Sequence, residues 1–157
     1  MKINIISVGH KPPKWTEDGC REYLKRFQRD LSITLTEIKP AFRIGDTDKN
    51  HLARMKEKDR ILSKSNKNAD MIALDESGTQ TTTNELAELL THCMTEGRDL
   101  DFVIGGADGL APEIKMQADK TISLSRMTYP HALARLILIE QLYRTQCIIK
   151  NHPYHRE

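Results

Sequence analysis

Leu100-Asp101-Phe102-Val103-Ile104-Gly105-Gly106-Ala107-Asp108-Gly109-Leu110 begins apolar and closes on glycines. Its first five residues read as a strand. The paired glycines that follow open backbone conformations closed to other residues and let a ligand approach the main chain. An ordinary turn into a helix uses the same residues, so the pair alone does not define a site. Two nucleotide-binding motifs are excluded: the loop lacks G-x-G-x-x-G spacing and its downstream acidic residue, and no Gly-Lys-Ser/Thr is present for a phosphate loop.

Outward from this stretch, strands alternate with helices. Lys2 to Val8 reads as a strand with Ile3, Ile5 or Ile6, and Val8 on the buried side, and Pro12-Pro13 end it. The spacing of Trp15, Tyr23, Leu24 and Phe27 predicts a helix over 15–29, and Ile33 to Ile38 alternates as a second strand. Pro40 to Asn50 is polar and reads as a loop, a candidate mobile segment, before a charged helix over 51–65. Met71 to Leu74 is a short strand ending at Asp75. A helix over 83–96 follows, with Thr83 or Asn84 as its cap and Gly97 as its stop. Pro112 opens a short helix, Thr121 to Leu124 is a strand, and a long helix runs from about Pro130 to Ile149. Such alternation predicts an α/β fold with a mostly parallel sheet and helices on both faces.

The chain has 157 residues, the size of one domain spanning 1–157. With 29% charged and 38% hydrophobic residues it reads as globular, and it needs no disulfide or metal to hold a core. The net charge of +2 is too small to argue nucleic-acid binding, so any RNA contact must come from a local patch. Cys20, Cys93 and Cys147 form no CxxC pair and read as reduced, buried thiols. The apolar run at the N-terminus is too short for a signal peptide and no segment is long enough to span a bilayer, so the expected location is the cytoplasm.

Ligands of open α/β sheets bind beyond the carboxyl ends of the strands. Residues 74–78, 105–110 and 125–130 occupy such positions. Asp75 and Glu76 are neighbours, so on a strand they point to opposite sides, and a polar loop start is favoured over a catalytic pair. The last seven residues, Asn151 to Glu157, hold an HxxH spacing without the further ligands a metal needs. They read either as a solvated tail or as side chains that stack on bases and bind phosphates. Arg21, Lys25 and Arg29 fall on one face of the first helix, most simply a solvated face. The last helix is too apolar for a monomer's surface: Leu136-Ile137-Leu138-Ile139 covers more than half its circumference. Central burial accounts for this, and so does a second copy of the chain; the dimer is the expectation.

The segments IGGADGL (104–110), LSRMTYPH (124–131) and ARLILIEQLYR with NHPYHRE (134–144 and 151–157) resemble the RlmH (YbeA-type) family, SPOUT-class methyltransferases of large-subunit ribosomal RNA. The resemblance runs from IISVGHKPPKW (5–15) through EYLKRF (22–27) to the terminal YHRE. It implies a single SPOUT domain with a C-terminal trefoil knot, an exception to the rule against threaded chains. It implies a homodimer, with S-adenosylmethionine held by Leu74, Gly105, Leu124, Ser125, Arg126, Met127, Thr128 and Tyr129. The acceptor would be N3 of a pseudouridine in 23S ribosomal RNA on the assembled ribosome. This imide nitrogen is poor until deprotonated, and the base is unassigned. Tyr154, His155 and Arg156 are the candidates for substrate binding and catalysis. No metal and no membrane are implied. His10 departs from the Lys or other polar residue expected there, and Asp108 adds negative charge near an RNA-facing loop. Three other readings stay open: a SPOUT enzyme for another RNA such as transfer RNA, a non-catalytic ribosome-binding factor, and a dinucleotide-dependent oxidoreductase.

Overall fold

A computed structural model describes residues 1–42 and 47–154. The elements are β1 (Lys2–Val8), α1 (Lys14–Leu24), β2 (Ser32–Ile38), α2 (Thr47–Lys64), β3 (Ala69–Gln80), α3 (Thr83–Thr95), β4 (Asp99–Ile104), α4 (Pro112–Gln117), β5 (Lys120–Ser123) and α5 (His131–Ile149). The strands form one five-stranded sheet in the order β2-β1-β4-β3-β5, and every pairing is parallel.

Parallel strands need crossovers, and the helices that supply them cover both faces of the sheet. On one face Ile3, Ile5, Ile72, Leu100 and Phe102 pack with Leu86 and Leu90 of α3 and Leu138, Ile139 and Leu142 of α5. On the other, Ile6, Val8, Ala73 and Val103 pack with Ile61 of α2 and Ile114 of α4. The expected one-sided β1 is corrected by this layering: Ile5 and Ile6 point to opposite faces and both are fully buried.

Several boundaries differ from the sequence expectation. The strand expected to end at Asp75 continues to Gln80, because Thr79 and Gln80 resume pairing with β5 after an irregularity at Leu74/Thr79. Gly78 makes that possible, since a β-carbon there would lie 2.6 Å from the backbone carbon of Ile122. The cap of α3 is Thr82 rather than Thr83 or Asn84. Thr82 accepts from the Glu85 N–H, and the Glu85 carboxylate accepts from the Thr82 N–H, a capping box that the Glu at the third position selects. Helix α1 ends at Leu24, so Arg29 lies beyond it; Arg21 pairs with Glu17 and Asp18, and Arg26 with Glu22. Of the expected 40–50 loop, residues 43–46 lie outside the described residues, and α2 already begins at Thr47. The three cysteines are free and buried, as expected. No described helix is long and apolar enough to cross a membrane.

Candidate functional site

The C-terminal ends of β3, β4 and β5 open onto one cavity of about 780 Å³. β4 and β5 contribute the loops that follow them, and β3 contributes its irregular stretch between Leu74 and Thr79. Leu74 to Ser77 come from β3, Gly105 to Leu110 from β4, and Ser123 to Pro130, without Arg126, from β5. Leu74, Gly105, Leu124, Ser125, Met127, Thr128 and Tyr129 therefore meet at one place, whereas Arg126 is outside the lining. The sequence reading did not select Arg54 of α2, Lys115 of α4 or His131 of α5, which also line it. No local pattern marks Arg54 or Lys115, because only crossovers bring α2 and α4 to the strand ends; His131 closes the LSRMTYPH segment and directly follows the β5 loop.

The glycine loop is a tight turn and a cavity wall at once. Gly109 donates its N–H to the Gly106 carbonyl at 3.0 Å and has φ +74°, a conformation that favours glycine. Gly105 faces the returning strand of this turn: a β-carbon there would sit 2.6 Å from the Gly109 carbonyl carbon and 2.7 Å from the Leu110 nitrogen. The loop can close only with glycine at 105.

The acidic pair is committed to holding loops. Asp75 accepts from the Ser77 N–H at 3.0 Å and from Lys115 Nζ at 3.3 Å. Burial raises the Asp75 carboxyl, but the Ser77 hydrogen bonds and the Lys115 ammonium outweigh it and hold it below the usual carboxylate range. Glu76 accepts from the Thr128 hydroxyl at 3.0 Å, tying β3 to the β5 loop. Neither geometry is that of a paired acid and base. Removing Lys115 should release Asp75. In Lys115→Met the Asp75 carboxyl is expected to titrate at higher pH, with a stability loss near neutral pH of at most about 1 kcal/mol for this partly exposed pair. Carbon-detected NMR of the Asp75 carboxyl tests this, and identical titration in both proteins would refute the role given to Lys115.

Tyr154 lies elsewhere. Its ring packs on Tyr143 of α5 at 4.9 Å between centroids, and the Arg144 guanidinium lies over it, also at 4.9 Å. Its hydroxyl donates to Glu140 at 3.1 Å and meets the Tyr23 hydroxyl at 3.3 Å. Burial, the Tyr23 hydrogen bond and the Glu140 charge all push the phenol well above its ordinary value. A phenol held protonated in this way donates a hydrogen bond and does not serve as a base at neutral pH. His155 and Arg156 lie outside the described residues. Among the described residues no group of His, Cys, Asp and Glu is placed to hold a metal ion.

Sheet order, loops and cavity together describe a class of enzyme that builds its ligand site beyond one edge of a parallel sheet, where β3, β4 and β5 converge. Residues 1–155 match the family described as "Predicted SPOUT methyltransferase". The fold is also that of a methylase family protein from Neisseria gonorrhoeae, with a TM-score of 0.55 and 14% identity over 90% of this chain and 81% of that one. The chain belongs to the SPOUT methyltransferases and, within them, to the RlmH family. It is 52% identical over its whole length, and that of the relative, to a protein of Thiobacillus denitrificans named "Ribosomal RNA large subunit methyltransferase H". A protein of the same name from Dechloromonas aromatica is 48% identical, over 100% of this chain and 99% of the other.

Proposed function

We propose that this protein transfers a methyl group from S-adenosylmethionine to N3 of a pseudouridine in 23S ribosomal RNA, on the assembled ribosome, as a cytoplasmic homodimer. The observation that carries the reading is the convergence of β3 with the loops after β4 and β5 on one cavity. A volume of about 780 Å³ lies within the usual range for small-molecule sites.

The lining fits the donor's chemistry. Leu74, Leu124 and Met127 offer apolar surface for an adenine ring, and the glycine loop offers backbone groups for its polar edge. Asp75, Glu76 and Asp108 place carboxylates along the wall of a site for a cation. When bound, S-adenosylmethionine supplies a methyl group already activated by a sulfonium. The chain's own work is to hold and align the partners and to manage the acceptor's proton. Arg126, outside the cavity wall, remains a donor-contact candidate through its backbone between Ser125 and Met127.

The tail candidates take substrate roles. Tyr154, kept protonated, serves as a hydrogen-bond donor, while His155 and Arg156 bind the RNA. His155→Ala is expected to leave donor affinity unchanged and to slow methyl transfer by roughly 10–100-fold, the cost of one hydrogen bond to a charged group. Single-turnover kinetics beside calorimetry separate the two effects, and lost donor affinity with normal turnover at saturation would reverse the assignment. Half-buried Leu133 and Ile137, one turn apart on α5, support the homodimer. A near-neutral surface suits a target presented by a whole particle rather than free RNA.

Titration calorimetry with S-adenosylmethionine and, separately, NADH tests the donor. Saturable binding of the first alone supports the reading; binding of neither favours a ribosome-binding factor. Tritiated-methyl transfer to intact ribosomes, compared with naked RNA and followed by mapping of the modified nucleotide, tests the acceptor. Equal methylation of naked RNA would refute the particle requirement, and a modified transfer RNA would move the substrate.

A further inference from the structure

The cavity wall contains a titratable side chain that is not tied to loop architecture. Asp75 is held by Ser77 and Lys115, and Glu76 by Thr128. His131, the first residue of α5, lines the same cavity and has no ring hydrogen bond within the described structure. It also lines a second, small cavity of about 10 Å³ with Ser7, Gly9, Glu37 and Arg135.

The backbone is shaped to receive this ring. A β-carbon on Gly9 would lie 2.6 Å from His131 Nε2 and 2.8 Å from Cδ2, so the imidazole rests directly on the end of β1 where a side chain is missing. Behind it, Arg135 is 5% exposed, and its guanidinium is fixed on Glu37 of β2 at 2.7 Å. Exposed His10 flanks the ring from the β1–α1 loop. The imidazole is thus seated at a defined place in the cavity wall, with fixed cationic charge on the side away from the cavity.

We propose that His131 is the proton acceptor of the reaction, its imidazole taking the N–H proton of the acceptor base at the cavity wall as methyl transfer proceeds. This rests on the methyltransferase reading above. In that step the nucleobase N–H bond breaks and its proton passes to a ring nitrogen of His131. The electron pair left on the nucleobase nitrogen forms the new N–C bond. The sulfonium C–S bond breaks, and its electron pair stays on sulfur. The starting imidazole must be neutral, and the surroundings favour that: burial, then the charges of Arg135 and His10, lower its pKa. Glu37 opposes this, but it is engaged by Arg135. On the cavity side the Lys115 ammonium is paired with Asp75.

The test uses the full-length protein in three measurements. In the protein alone, nitrogen-15 NMR should show the His131 ring neutral at pH 7, titrating below its ordinary range. By calorimetry, His131→Gln should bind S-adenosylmethionine within about threefold of wild type. In single-turnover methylation of ribosomes the same variant should be slower by about 100-fold or more, the usual contribution of a general base. Added imidazole should restore part of the rate to His131→Ala. Gly9→Ala, which removes no polar group but displaces the ring, should be slowed as well. A His131→Gln rate equal to wild type overturns the proposal, as does a loss that lies wholly in donor affinity, or a ring protonated at pH 7. If wild-type protein binds the donor but methylates no ribosome, the substrate reading falls, and this step with it. An active wild type beside an equally active variant removes the His131 assignment alone.

Discussion

Gly105→Val is expected to abolish saturable binding of S-adenosylmethionine. The reason differs from simple crowding of a ligand. A β-carbon at 105 would meet the Gly109 carbonyl carbon at 2.6 Å and the Leu110 nitrogen at 2.7 Å, both backbone atoms of the same loop. No side-chain rotation relieves such contacts, so the turn from Gly106 to Gly109 must open and the cavity wall must move. Gly105→Ala already carries that β-carbon and should weaken binding at least ~100-fold, or about 2.7 kcal/mol. Calorimetry measures the affinity, and circular dichroism with thermal unfolding checks that the variant is folded. A folded Gly105→Ala protein with wild-type donor affinity would show that the glycine loop does not form the donor site.

Phe102→Ala should cause the largest loss of stability among single changes considered. Phe102 is fully buried at the middle of β4, paired with Ile5 of β1 and Ile72 of β3. It packs in the cluster that joins the sheet to α3 and α5. Truncation removes transfer free energy and leaves a cavity that a parallel sheet cannot close by collapse, at a cost of about 3–5 kcal/mol. Urea unfolding should give a lower midpoint with an unchanged slope. A loss below ~1 kcal/mol would mean that the core rearranges around the gap and that β4 is less rigidly placed than its burial indicates.

Much of the fold is legible in the sequence, because its signals are local. Alternation at 33–38, the apolar run at 100–104 and the Pro112 helix start each reflect a preference that a short peptide already carries. The errors have equally specific causes. Lys2 to Val8 read as one-sided because period-two alternation assumes one wet face, while β1 lies inside the sheet with both faces covered. β3 read as ending at Asp75 because charged and glycine residues usually mark a turn. In the structure Gly78 lets the strand pass the backbone of Ile122 and pair again. The capping box at Thr82 does have a local signature, the Glu85 three residues on.

For the site, the order of strands and loops along the chain, together with the family's motifs, was enough to select most of the residues that now line one cavity. Strand-end loops hold the ligands of α/β sheets whatever their sequence. The ion pair of Asp75 with Lys115, the seat of His131 on Gly9 and the withdrawal of Arg126 from the wall could not be read in that way. Each depends on where a crossover helix or a neighbouring loop comes to rest, which follows from packing between residues distant in the chain: 40 positions separate Asp75 from Lys115, and 122 separate Gly9 from His131. Local propensity decides which segments are strands and helices; only the packed sheet decides which side chains face the same space.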